Sequence, residues 1–248
     1  RLISAVFVLF SISTLVFLLI HLIPGDPIEV MLGETARVGD REALRHLLGL
    51  DLPILQQWWE YLKGISQFDL GESLHSKQAV TQLLSDRLPA TLILSAASLF
   101  VAIVIAFPLG ILAAIYKDSV WDRLAMLTAM VGVLIPNFVM GPLLILIFAL
   151  WLGWVPVSGK DGMSSLILPA LTLGSALAAI LSRMIRGSML EVIQEDYIRA
   201  ARARGLSEFR ILGSHALRNA ALPIITILGM QFGALLAGAV ITETIFSW

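Results

Sequence analysis

Five stretches of this chain are apolar for long enough to cross a lipid bilayer, and polar segments of very unequal length separate them. About 20 apolar residues in a helix cross the ~30 Å of hydrocarbon. Residues 2–23, 92–116, 124–152, 166–182 and 222–240 meet that need, the fourth being the shortest. The first is too long for the apolar core of a signal peptide and lacks an Ala-x-Ala exit, so it reads as a span. Prolines and glycines recur inside the spans, among them Pro108, Gly110, Gly132, Pro136, Gly174, Gly229 and Gly233. Small residues let membrane helices approach closely, and internal prolines bend them. Each taken singly is expected to serve packing.

Residues 24–88 are too long for a simple connector and carry helical patterns of their own. Pro24-Gly25-Asp26-Pro27 stops the first span by its turn chemistry. Asp40 is expected to cap a short helix bearing Leu44, Leu47 and Leu48 and closed by Gly49. Asp51-Leu52-Pro53 starts a second helix with Leu55, Trp58, Trp59 and Leu62 on it, the tryptophans placed for the headgroup level. From Gln78, the spacing Val80, Leu83, Leu84, Leu88 gives a third amphipathic stretch that leads into the second span.

The polar segment between the fourth and fifth spans is the most informative. It runs Arg183-Met-Ile-Arg-Gly-Ser-Met-Leu-Glu-Val, then Asp196-Tyr-Ile-Arg-Ala-Ala-Arg-Ala-Arg-Gly-Leu, then His215-Ala-Leu-Arg-Asn-Ala. Seven arginines (183, 186, 199, 202, 204, 210, 218) stand in it, and each would cost roughly 2.5–3.5 kcal/mol at the bilayer centre. The segment is therefore a loop outside the hydrocarbon, cytoplasmic by the positive-inside bias, with the short loop 117–123 on the same side. Residues 24–88 and 153–165 then lie outside. Ala200-Ala201-x-x-x-Gly205 suits a short helix that another protein approaches closely and that then turns sharply.

Composition narrows the reading. The chain is 58% hydrophobic and 14% charged, against about 45–50% and 25% for soluble domains. A net charge of −1 argues against nucleic-acid binding. Without cysteine there is no disulfide, thiolate metal site or thiol nucleophile. The histidines show no i, i+4 pair and make no metal cage. No Gly-x-x-x-x-Gly-Lys-Ser/Thr loop is present, so nucleotide binding is not expected in this chain, and neither His-Glu-x-x-His nor Gly-x-Ser-x-Gly appears.

These residues resemble the EAA loop of ATP-binding-cassette (ABC) importer permeases, specifically those of the dipeptide/oligopeptide/nickel family. Arg199, His215 and Arg218 depart from the generic importer pattern, in the way usual for that branch. Pro24–Pro27, Leu48-Gly-Leu-Asp-Leu-Pro53, Gly71-Glu-Ser73, Leu88-Pro-Ala-Thr91 and Pro136-Asn-Phe138 extend the similarity over nearly the whole chain. The resemblance implies an all-α, type I importer permease in the bacterial inner membrane, with five visible spans of an expected six and a truncated C-terminus. Its organisation would be a first helix over 1–23, an extracytoplasmic region over 24–88, and a permease core over 89–248 with a coupling loop at about 187–218. Asp196, Tyr197, Ala200, Ala201, Gly205 and Leu206 would meet an ATPase. Partners would be a second permease subunit, two ATP-binding subunits, an extracytoplasmic binding protein that docks on the outer region, and lipid. Catalysis and cofactors are expected to be absent. Dipeptides or oligopeptides are the first substrate reading, with glutathione or nickel chelates as alternatives; an ion-coupled carrier is disfavoured because the spans lack acidic residues.

Few polar residues mark a path. Asn137, Thr226 and Gln231 are the pathway candidates, with interhelical bonding an equal alternative for Gln231 and a proline-freed carbonyl the expected partner of Asn137. His21 is expected to be interfacial. Glu243 could be a gate residue, a partner contact or an end-of-helix charge.

Overall fold

A computed structural model describes residues 2–22, 25–33, 37–73, 76–160 and 162–248. Pro24 lies outside these residues. Among them, all regular structure is helical except one isolated bridge between Glu72 and Ala79. The chain forms two compact units, 1–87 and 88–248.

In the first unit, α1 (Leu2–Leu22) is the apolar opening helix. Against it packs α4 (Ile54–Ser66), which starts at Pro53 as its sequence predicts. Trp58 Nε1 donates to Thr14 Oγ1 at 3.3 Å, and Phe10 meets the Trp58 ring edge-on at 5.8 Å. Trp59 stays exposed. Between them, α2 (Pro27–Leu32) has Pro at its first position, where no N–H is needed, and Asp26 as its cap. Its neighbour α3 (Val38–Leu47) begins two residues before Asp40, with Arg37 as the extended residue before the first turn. Asp40 is thus not the cap. It sits in the first turn, where its charge still faces the positive helix end.

The second unit is organised by α8 (Met163–Ile193). The span read as the shortest is part of a 31-residue helix, because Arg183 and Arg186 continue the helix instead of ending it. Three neighbours pack on α8. On α5 (Val80–Ile115), a Cβ at Gly110 would stand 2.8 Å from Ser182 O, and one at Gly174 of α8 would stand 2.8 Å from Ser98 O. On α6 (Val120–Leu134), a Cβ at Gly132 would stand 2.1 Å from Ser175 O. On α11 (Leu217–Gly238), Gln231 Nε2 donates to Leu177 O at 3.3 Å. These contacts are small-residue packing, with helices approaching backbone to backbone.

The stretch 124–152 is not one straight span. After α6 the chain bends by 99° into α7 (Asn137–Leu144), which runs on as a π-helical segment, Ile145–Trp151. Pro136 is the cause: it pushes Ile135 to φ −98°, ψ 115°, outside the helical region. The third amphipathic stretch is the first part of α5, which continues unbroken through Pro89 and Pro108. By length and apolarity α5, α8 and Glu208–Ala237 can each cross a membrane, and the bent pair can add a fourth crossing. In α1 the apolar run Ile3–Leu19 is shorter.

The hydrogen bonds of the second unit sort its loops to two ends. At one, Asp122 pairs with Arg186, which joins the 117–123 loop to the far half of α8. At the other, Gly159 N donates to Phe246 O at 3.0 Å and Thr91 Oγ1 to Glu243 at 2.6 Å. The short loop and the arginine-rich loop therefore share a face, and the loop at Gly159 shares the opposite one with the last helix, α12 (Val240–Phe246).

Candidate functional site

Beyond α8, Glu195 in extended conformation opens α9 (Asp196–Ala203), an eight-residue helix with an acidic first residue and Arg202 in its last turn. Both charges suit the helix dipole. Gly205 ends it at φ +75°, in the left-handed region. Its N–H donates to Arg202 O at 2.9 Å, and Leu206 N to Ala201 O at 3.3 Å. These bonds satisfy carbonyls that the helix end would leave open. Across the turn Arg202 grips Glu208 with Nε–Oε1 at 2.7 Å and Nη2–Oε2 at 3.3 Å. The Glu208 carboxylate holds the Arg202 guanidinium above its ordinary value, chiefly through that hydrogen bond. The chain then re-enters α11 through α10 (Glu208–Arg210) and a π-helical segment, Ile211–Ala216.

The six expected docking residues divide between two faces. Asp196, Tyr197, Ala200 and Gly205 are exposed. Ala201 is buried with Ile198 in a core that also holds Ile185 and Met189 of α8 and Ile211 and Ala216, and half-buried Leu206 packs against it. A second tie is polar: Asn219 Nδ2 donates to Tyr197 Oη at 2.8 Å and to His215 O at 2.9 Å. The helix is thus anchored on one side and open on the other, and beyond the turn Phe209 stands 89% exposed.

The three pathway candidates are not brought together. Asn137 is half-buried at the start of α7 and makes no side-chain hydrogen bond among the described residues, so it does not serve a proline-freed carbonyl. Thr226 is exposed on α11, its hydroxyl donating to Leu222 O at 2.9 Å. Gln231 is buried on another face of that helix, where its amide bonds α8 while its carbonyl oxygen has no partner among the described residues.

At the other end of the chain, Gly25 has φ +136°, and Asp26 accepts from Ile28 N at 3.0 Å and from Arg45. With Pro27, His21 and Gln57 they line a cavity of about 490 Å³. The His21 ring nitrogens lie 2.9 Å from Phe17 O and 3.1 Å from Gln57 Oε1.

Sequence reasoning missed two pairs. Asp122 and Arg186 lie 64 positions apart, and Thr91 and Glu243 lie 152 apart. No local spacing reports such contacts. The only available signal was a charged residue at the edge of an apolar segment, which must find a partner.

A match to the model of binding-protein-dependent transport system inner membrane components covers residues 106–248, and a match to the N-terminal part of such components covers residues 1–95. The chain belongs to this family. The glutathione transport system permease protein GsiC of Escherichia coli O6:H1 is 42% identical over the whole chain, which covers 81% of that relative. The counterparts in Escherichia coli K12 and Shigella flexneri are 41% identical over the same shares. An amino acid ABC transporter crystallised with histidines matches with a TM-score of 0.51 at 18% identity, over 66% of this chain and 72% of that one, and shows the shared fold. The protein is thus a multi-pass ABC importer permease of the bacterial inner membrane, a transport subunit of the dipeptide/oligopeptide/nickel-type family.

In this permease the Leu88–Thr91 signature holds the last helix. Thr91 bonds Glu243, and Ala90 O accepts from Trp248 Nε1 at 3.1 Å. Thr91→Val leaves a half-buried carboxylate short of its donor, a loss of about 1.5–3 kcal/mol for a bond to a charged group. Purified Thr91→Val should melt several degrees below the wild type, while Thr91→Ser, which keeps the hydroxyl, should match it. Equal melting of both variants and the wild type would show that this bond does not hold α12.

Proposed function

We propose that this permease forms half of a pathway for short peptides, with glutathione, itself a modified tripeptide, as the first candidate. The observation that carries the reading is the identity to GsiC over the entire chain. Residues 1–23 are proposed as a first span, 24–88 as the extracytoplasmic region that receives a binding protein, and 89–248 as the permease core. Gly25, Asp26 and Pro27, with Pro24, belong to that outer region. A second, similar permease subunit supplies the other half of the path, to which Thr226, Asn137 and Gln231 are candidate contributors.

Two ATP-binding subunits dock on the loop at about 187–218. The exposed face of α9, with Asp196, Tyr197, Ala200 and Gly205, is the proposed contact, while Ala201 and Leu206 fasten the helix to its own chain. Closure of the ATPases then pushes α9, and through its buried side α8 and α11.

Uptake by cells expressing the complete transporter decides the substrate. Labelled glutathione should enter in an ATP-dependent way, in competition with short peptides and not with nickel chelates. Import of nickel chelate alone would replace the peptide reading by its metal alternative. ATP hydrolysis is expected only with the ATP-binding subunits present; hydrolysis by the purified chain alone would remove that division of labour.

Orientation is tested on the natural cysteine-free background. A cysteine at position 66 should react with an impermeant thiol reagent on intact cells, and one at position 203 should not. The reverse labelling would invert the topology.

A further inference from the structure

The Asp122 carboxylate is held by three donors from two elements. Arg186 Nε reaches Oδ1 and Arg186 Nη2 reaches Oδ2, both at 2.7 Å, and Asp118 N reaches Oδ2 at 3.0 Å. The backbone N–H of Asp122 itself donates to Ser119 Oγ at 3.3 Å, which caps α6. The carboxylate is 7% exposed and the guanidinium side chain 28%. Asp118 stands at φ +62°, a left-handed conformation in the tight turn that joins α5 to α6, and its bond to Asp122 secures that turn. A fork-on-fork pair of this kind fixes one relative geometry, which an apolar contact between smooth helices does not.

The pair fixes α6 to α8 near the start of α6, and a second close contact lies near its end. This second one is the backbone contact of Gly132 with Ser175. Ser175 and Arg186 are separated by three helical turns, about 16 Å along the axis. Two fixed points that far apart prevent α6 from sliding or pivoting on α8. Arg186 also lies beside Ile185 and one turn before Met189, and both share their core with Ile198 of α9. A continuous path of packed and paired groups therefore runs from α9 through α8 and Asp122 into α6, and α6 ends at the bend before Pro136.

We infer that Asp122 and Arg186 are a positioning pair that carries the movement of α9 from α8 into α6 and its bend, so that ATP hydrolysis is converted into opening of the path. The inference rests on the reading of 187–218 as the ATPase-coupling loop. Buried ion pairs often add little net stability and serve instead to select one arrangement. Removing one partner outright would leave a buried charge unpaired and destabilise the fold, so variants that keep a hydrogen-bonding group at each position are the ones whose effect should fall on coupling more than on folding.

The test uses the complete transporter in proteoliposomes, with both permease subunits, the ATP-binding subunits and the binding protein. ATP hydrolysis and glutathione uptake are measured on the same vesicles. Asp122→Asn keeps size and hydrogen bonding but loses the charge; Arg186→Lys keeps the charge but loses the fork. Both should retain binding-protein-stimulated hydrolysis within about twofold while uptake per ATP falls at least about tenfold, the range of coupling energies between sites. Asp122→Glu, which can still accept both guanidinium bonds, should recover most of the uptake per ATP. Hydrolysis and uptake falling together, as for a purely structural pair, would overturn the inference, and so would an unchanged ratio in both variants. If one variant fails to accumulate, the other decides by the same ratio. Gly205→Val in the same assay separates the two readings. Wild-type uptake there removes the coupling-loop reading itself, whereas lost uptake with a normal ratio in the Asp122 and Arg186 variants removes this inference alone.

Discussion

Gly205→Val abolishes substrate uptake while the protein stays in the membrane at normal abundance. Two features of the turn after α9 lead to this expectation. First, Gly205 has φ +75°, a conformation that costs an L-residue roughly 1–2 kcal/mol and a β-branched one the most. Second, a Cβ there meets nothing within 4 Å of its own chain. The substitution therefore does not clash internally, and the strain is small against the stability of the surrounding core. The new methyl groups instead project from the exposed side, which carries Ala200 and Gly205 and is the proposed ATPase contact. Gly205→Asn tests the balance of the two effects, because Asn adopts the left-handed region readily. It should preserve the turn and still impair uptake through added bulk. Arg202→Ala removes an exposed ion pair with Glu208, worth about 0–1 kcal/mol, and should leave uptake near the wild type. Near-normal uptake by Gly205→Val at normal abundance would reduce the loop to a basic connector.

How much of this was legible in the sequence follows from the range of each interaction. The apolar runs within α5, α8 and α11 and the short helix before Gly205 are local, and runs of apolar residues or an Ala-Ala-x-x-x-Gly pattern report them directly, whereas 124–152 is a bent pair and the apolar run of α1 is shorter. The left-handed turn was readable from a lone glycine behind the small pair Ala200-Ala201. The 99° bend was present as Pro136, but a proline inside an apolar run signals a kink without its size. Indeed Pro108 and Pro89 sit within the unbroken α5. Burial on α9 was not legible: Ala200 and Ala201 are identical neighbours, and only the packing of Ile198 against α8 makes one exposed and the other buried. Asp40 failed as a predicted cap because Arg37, without a capping side chain, already had the extended backbone that starts the helix. The Asp122–Arg186 and Thr91–Glu243 pairs depend wholly on which helices become neighbours, information that no single segment carries.

The helix neighbours are themselves fixed by glycines, and Gly132 is the most demanding of them. Gly132→Ala should lower the melting temperature of the purified permease by several degrees, and Gly132→Leu should prevent its accumulation in the membrane. A Cβ at this position would stand 2.1 Å from Ser175 O and 2.4 Å from Ser175 C, so α6 and α8 would have to separate. The atoms in the way are backbone, which cannot rotate aside as a side chain can. α8 is held against α5 in the same way, at Gly174 against Ser98 O and Gly110 against Ser182 O, so a shift of α8 disturbs those contacts as well. Separation would also stretch the 2.7 Å bonds between Asp122 and Arg186. Overpacking of this kind costs typically 1–3 kcal/mol and sometimes more, and each kcal/mol lowers melting by about 2–4 °C in a chain of 150–250 residues. Gly233→Ala on α11 is the control. A Cβ there meets nothing within 4 Å, and alanine favours a helix interior over glycine by about 0.5–1 kcal/mol. The two alanine variants should therefore move in opposite directions, with Gly132→Ala melting lower than the wild type and Gly233→Ala equal or higher. Equal melting of the two would show that α6 and α8 are not in backbone contact, and the fixed lever through which α9 is read to act on the bend would go with it.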